Sequence, residues 1–181
     1  MTAGALAVMV HPRLVLGLLM SSDPDHLAEH WRAAARDPVI VAKLDALFAQ
    51  CAAEIAARGP ACWASGRCCN FRGAGHRLYV TAVEAALTIE RVKAMPAAPV
   101  LTRESLAAAQ AAGVCPFLDG HLCGVHAARP LGCRVYFCDK SAQAWQNDLY
   151  ERLLAGVRAI HEEHGVEYRY AEWTSLLETL L

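Results

Sequence analysis

Charge of either sign is scarce in this 181-residue chain. Seventeen Lys and Arg stand against 18 Asp and Glu, a net charge of −1, and charged residues make up only 19%. That balance leaves no basic footprint for nucleic acid. The small groupings Arg67, Arg72, Arg77 and Arg129, Arg134 read as solvated or as local partners of acids. Long apolar runs are also missing. None reaches the roughly 18 residues of a membrane span, so no membrane association is expected. The apolar stretch from Met1 to Met20 is interrupted by His11-Pro12-Arg13, and no Lys or Arg precedes it, which argues against a secretory leader. Absent too are a phosphate-cradling glycine loop, the paired histidines of a zinc protease, a nucleophile elbow and a defensible Ser/His/Asp set. No internal repeat is visible. These absences remove the common hydrolase and nucleotide-binding classes.

Cysteine, by contrast, is plentiful. Seven of the eight fall in two blocks: Cys62, Cys68 and Cys69, then Cys115, Cys123, Cys133 and Cys138. A chain with no leader is expected in the cytoplasm, where thiols stay reduced, so the blocks point to metal or catalysis rather than a disulfide framework. Thiolates are soft ligands that favour zinc, copper(I) and iron–sulfur clusters, and two separated blocks imply one site closed by folding. Seven thiolates exceed the four of a structural zinc or of one cubane cluster. The spacing matches neither zinc-ribbon pairs nor a ferredoxin run. An iron–sulfur cluster is the leading expectation and zinc the alternative, with mononuclear or dinuclear iron behind them. Cys62, Cys68, Cys115, Cys123, Cys133 and Cys138 are the expected ligands, with Cys69 added. Cys68 and Cys69 are adjacent, so one is expected to ligate while the other packs, unless they serve different metals of a cluster.

Arg129 and Arg134 flank Cys133 and are expected to contact the cofactor by offsetting thiolate charge and donating to sulfur. The competing reading has Arg129 capping carbonyls while Pro130 fixes the turn. Cys51 lies on an apolar helical stripe and reads as a core thiol. Glu84 reads as a helix cap. His76 and His126 lie near the blocks, where a packing or polar role outweighs ligation. His161 and His164 sit near a helix end, where they interact with its dipole. His121 is expected to be exposed.

The fold expectation is mainly α with a small β-hairpin, the helices packed around a cysteine-rich loop and hairpin core. Three segments, 1–60 (N-terminal helices), 61–140 (cysteine core) and 141–181 (C-terminal helices), form one structural domain. Ser22 or Asp23 caps a helix that buries His26, Leu27, His30, Trp31 and Ala34. Pro38 starts a second helix, with Ile40, Val41, Leu44, Leu47, Phe48, Cys51 and Ile55 on one side, and Gly59-Pro60 stops it. Residues 61–78 form a loop. Tyr79-Val80 is a short strand, and Thr81-x-x-Glu84 is a capping box opening a helix to about Ala94. Thr102 caps a helix that ends at Gly113. Asp119-Gly120 turns a hairpin that brings Cys115 and Cys123 together. Ser141 caps a long helix burying Trp145, Leu149, Leu153, Val157 and Ile160. A last helix covers Ala171 to Leu181.

The chain resembles the YkgJ-like cysteine-cluster proteins, a family described as zinc- or iron-chelating. The residues that carry the resemblance are Cys62-Trp-Ala-Ser65-Gly-Arg-Cys68-Cys69, Thr81-Ala-Val-Glu84, Cys115-Pro-Phe-Leu118, Cys123-Gly-Val-His126, Arg129-Pro130-Leu-Gly-Cys133-Arg134, Tyr136 and Cys138. It covers roughly 62–140. Two positions depart from the pattern: Ser65 replaces the second opening cysteine, and His126 replaces a tyrosine. The resemblance implies a metal-binding protein, with one thiolate fewer than its relatives or with His126 or His76 in that ligand's place. Larger relatives, the flagellin lysine methylases, carry a similar cluster. That leaves an iron-dependent enzyme acting on a protein or peptide partner, or a zinc-stapled interaction module, as the alternatives to a redox or structural centre.

Overall fold

The computed structural model describes residues 24–181. Ser22, Asp23 and the apolar Met1–Met20 stretch lie outside the described residues. The fold is mainly helical, with eight α-helices and two small two-stranded antiparallel sheets among the described residues. Among those residues no helix is long and apolar enough to cross a membrane.

Helix α1 (Pro24–Arg36) is followed at once by α2 (Pro38–Arg58), because Asp37 between them is a strong start signal. Its carboxylate accepts from the N–H groups of Val39 and Ile40, with Pro38 in the first turn. Gly59 closes α2 in the left-handed region, where glycine carries no Cβ penalty. Ile40, Leu44, Phe48 and Cys51 form the buried stripe of α2 as expected. In α1 the buried residues are Ala28, Trp31, Ala34 and Ala35, while His26 and His30 are exposed. The apolar face is therefore rotated from the expected one. Small alanines let α1 approach α4 closely, and the polar histidines turn outward.

The central helix is α4 (Ala82–Lys93). Residues 82–89 are all buried, the mark of a helix surrounded by other elements. α1 packs on one side and α8 (Trp173–Leu180) on another. Strand β1 (Tyr79–Thr81) leads into α4 and pairs antiparallel with β4 (Tyr170–Glu172), Val80 opposite Ala171. β4 was not expected; three residues are too few to show alternation. It takes the place of the expected first turn of the last helix, which starts at Trp173 with Glu172 as its cap. Helix α5 (Arg103–Ala112) has the expected Thr102 cap and Gly113 end.

The hairpin joins β2 (Leu118–Asp119) to β3 (Leu122–Cys123). Asp119 pairs with Leu122, so the two turn residues are Gly120 and His121, with Gly120 at φ +56°. α6 (Leu131–Val135) then packs between α2 and the long α7 (Gln143–Glu163). Ser141 is not the cap of α7. Its N–H and hydroxyl both donate to the Asp139 carboxylate, and Ala142 occupies the cap position with no side-chain bond. The buried stripe of α7 runs Gln146, Leu149, Leu153, Val157, Ile160 and His161, with Trp145 half-buried. His161 is thus a core residue, edge-on to Tyr168, rather than a group interacting with the helix end. Within the expected 61–78 loop there is one short helix, α3 (Phe71–Ala74), capped by Asn70.

Candidate metal centre

The site is assembled from four short pieces of chain. The first is the turn ahead of α3. Gly66 sits at φ +69°, and its carbonyl accepts from the N–H groups of Cys69 and Asn70 at 2.9 and 3.0 Å. A Cβ on Gly66 would lie 3.3 Å from the Cα and carbonyl oxygen of His121, so only glycine lets this turn lie against the hairpin. The second piece follows α5: the N–H of Cys115 donates to the carbonyl of Cys69 at 2.7 Å. That bond joins the two cysteine blocks. The third is β3, which ends at Cys123. The fourth is α6, which carries Cys133 and begins where the buried Glu84 carboxylate accepts from the N–H of Leu131 at 2.9 Å.

Cys68, Cys69, Cys115, Cys123 and Cys133 line one small cavity of about 20 Å³, together with Arg129, Thr88, Phe117 and Trp173. Cys69 is at its centre. Its sulfur is 4.0 Å from that of Cys68, and Cys115 and Cys123 are its other thiol neighbours. Cys68 and Cys69 therefore face the same space, although their adjacency had suggested that one would turn away. Cys115 lies under the expected hairpin but ahead of its strands; Cys123 is opposite Leu118.

The electrostatics reflect five thiols crowded into a poorly solvated space. The hydrogen bond from Cys69 lowers the Cys68 thiol to about 6 and Cys123 to about 7, in both cases against burial. Cys115 is lowered by Cys69 first, with help from the Trp173 indole. Cys69 is pushed up by its three thiol neighbours, and Cys133 is pushed well up by burial, then by Cys115 and Cys123. All five cannot ionise in so dry a space without a cation to offset them.

The two arginines divide. Arg129 lines the cavity, with its guanidinium donating to the carbonyls of His126 and Cys133. It both caps the backbone and supplies positive charge to Cys68, Cys123 and Cys133. Arg134 turns the other way. It donates to the carbonyls of Arg129 and Ala127 and lies over the Phe48 ring at 4.4 Å, beside Cys51. It does not line the cavity, because that stacking draws it to α2.

The structure does not bring Cys62 and Cys138 to the same space. Cys62 is exposed. Cys138 contacts the Ser65 hydroxyl at 3.4 Å, so the serine at the departing position meets the outer cysteine. Cys51 is fully buried in α2. His126 and His121 are exposed. His76 stacks on Tyr136 and approaches the Cys68 carbonyl at 3.3 Å.

Two contributors were missed from sequence. Trp173 is almost wholly buried, 35 residues beyond the last cysteine of the second block and without a local motif. Its indole nitrogen finds no oxygen acceptor and lies against Cys115. Glu84 was read as a cap, which it is, bonding the N–H and hydroxyl of Thr81. Its second oxygen also anchors α6, and no local pattern signals that.

Among the described residues, no three His, Cys, Asp or Glu side chains already stand in the arrangement of a bound ion. The donor set nonetheless fits a soft cation: five sulfurs converge, a cationic guanidinium lies behind them, and a buried indole N–H lacks any oxygen acceptor. Residues 61–150 match the family model CxxCxxCC, described as a "Putative zinc- or iron-chelating domain". This segment belongs to that family, the YkgJ-like one, and the membership supports a metal-binding role. No curated protein and no solved structure matches the chain.

Proposed function

From the membership of residues 61–150 in a zinc- or iron-chelating family, we propose that this protein binds a single zinc or iron ion with thiolates drawn from Cys68, Cys69, Cys115, Cys123 and Cys133. The observation that carries this reading is the shared cavity of these five side chains. Its volume of about 20 Å³ is on the scale of one water-sized sphere. That suits one ion better than the cubane cluster that leads on cysteine count alone. Four thiolates would complete a tetrahedral site, leaving a fifth sulfur beside it. Bound, the ion would supply the positive charge that lets these thiols ionise together. Arg129 and the Trp173 indole would stabilise the residual negative charge on sulfur.

The centre's role in this reading is to hold four chain segments in place. Ligand thiols must lose their protons, so loading releases acid and is favoured by rising pH. The test is purification without oxygen, followed by assay of zinc, iron and acid-labile sulfide per chain with an absorption spectrum. One equivalent of zinc or iron without sulfide is expected. Iron with matching sulfide would replace the single ion by an iron–sulfur cluster. No metal of either kind would overturn the reading altogether.

A further inference from the structure

A cleft of about 270 Å³ adjoins the metal cavity, and Cys68 and Cys133 line both. Its walls are aromatic. The rings of Tyr79 and Tyr170 stack at 5.9 Å between centroids, and Tyr136 stacks on His76 at 5.0 Å. Tyr150 is held between the walls, its hydroxyl 2.8 Å from that of Tyr170 and 3.3 Å from the Tyr79 carbonyl. At Gly132 a Cβ would lie 3.0 Å from Leu78 and 3.9 Å from Tyr150, so a side chain there would begin to fill the floor. His76 Nδ1 is buried and has no hydrogen-bond partner. At the rim, Arg77 is exposed, and among the described residues no ion pair engages it.

These features describe a binding site with three zones. The inner end abuts two of the five sulfurs. The middle offers ring faces and an unpaired imidazole nitrogen. The mouth carries a free positive charge. An occupant matching all three has a soft donor at one end, a short body, and an anionic group at the other. We propose that the cleft binds a small thiol bearing a carboxylate, and that such a thiol carries the ion to Cys68 and Cys133, the two cysteines the cleft reaches. In the exchange, each bond between the ion and a carrier sulfur breaks as one to a cysteine sulfur forms. The cysteine proton passes to the departing carrier thiolate, so no oxidant or reductant is needed. Cys69 and Cys115 do not line the cleft and would be reached only afterwards.

The inference rests on the single-ion reading, and cobalt(II) separates the two. The full chain is loaded with cobalt, whose thiolate charge-transfer bands report on the sulfur environment without any activity. It is then titrated with 3-mercaptopropionate, with propionate, and with 2-mercaptoethanol. 3-Mercaptopropionate is expected to shift the bands saturably and propionate to leave them unchanged. Arg77→Gln should weaken the 3-mercaptopropionate response about tenfold, roughly one charge-assisted hydrogen bond, and leave 2-mercaptoethanol unaltered. Asn147→Trp, at an exposed position lining the cleft, should abolish the response. Normal cobalt bands that ignore the thiol would overturn the cleft and spare the single-ion reading. So would an equal response in Asn147→Trp, or bleaching of the bands in both proteins alike. Failure of the wild-type chain to take up cobalt would overturn both.

Discussion

At the scale of single residues, the eight cysteines separate into three kinds that sequence alone treats as two. Five share the cavity; Cys51 lies in the apolar face of α2; Cys62 and Cys138 lie outside. Each kind has its own expected behaviour. Cys69→Ser should cut metal content by more than half, because Cys69 contacts three other thiols. Cys51→Ala should leave metal content intact and cost about 1–2 kcal/mol in stability by opening a small void. Cys62→Ser and Cys138→Ser should leave metal stoichiometry unchanged. Metal analysis of the four purified variants, with chemical denaturation of Cys51→Ala, checks all of this. A loss of metal in Cys62→Ser would place the outer cysteines in the centre. The blocks were legible because cysteine is rare and its clustering is conspicuous. The division within them was not, because it depends on how residues 61–65 lie against 138–139, and nothing in the spacing specifies that.

At the scale of elements, start and stop signals were read well wherever a local side-chain bond makes them. The Pro38 start, the Thr81 and Thr102 caps and the Gly59 and Gly113 ends are all present. The misses have non-local causes. β4 exists because β1 pairs with it, and the start of α7 moved because Asp139 engages Ser141. Gly66 shows how an element depends on another far away. Gly66→Ala should cost about 1–2 kcal/mol from its left-handed backbone alone, with added strain against His121. Metal affinity should fall with it, since the same turn presents Cys68 and Cys69. Calorimetric unfolding with a metal titration reads both effects, and an unchanged metal affinity would show that the turn tolerates the shift.

Helix α7 supplies a pH dependence of its own. Burial lowers the His161 pKa below 6.5, outweighing the backbone of Val166 and Glu167. The folded state therefore keeps His161 neutral in a range where the unfolded chain takes up a proton. Stability is complete above about pH 6.5 and is lost as pH falls from there through the depressed folded value. Replacing His161 with Phe, which keeps the ring against Tyr168, should flatten that acid limb. Denaturation midpoints between pH 7.5 and 5 measure it, and an equal slope in both proteins would show that His161 is not the titrating group.

At the scale of the whole molecule, two layers of stability coexist. The core built on α4 and the α2–α7 pair buries Leu44, Leu149, Leu153 and Val157 almost completely, each contributing about 1.5–3 kcal/mol through apolar burial. The proposed metal centre would join the intervening loops and hairpin. A bound ion at a free concentration a thousandfold above its dissociation constant adds about 4 kcal/mol. Chelation should therefore lower the unfolding temperature. Amide exchange should rise first across residues 66–70 and 114–135, while α2 and α7 stay protected. An unfolding temperature insensitive to a strong chelator would mean that the sulfurs hold nothing.

The order of the pieces along the chain has a consequence for synthesis. Cys68 and Cys69 leave the ribosome about 60 residues ahead of Cys133, a gap of roughly 3–13 seconds at ordinary elongation rates. Trp173, which completes the cavity, comes later still. During that interval the early pair stands without the partners that would enclose it, open to premature capture by the wrong ion or by oxidation. A nascent chain of this design depends on a reducing, metal-buffered surrounding until its last helix emerges.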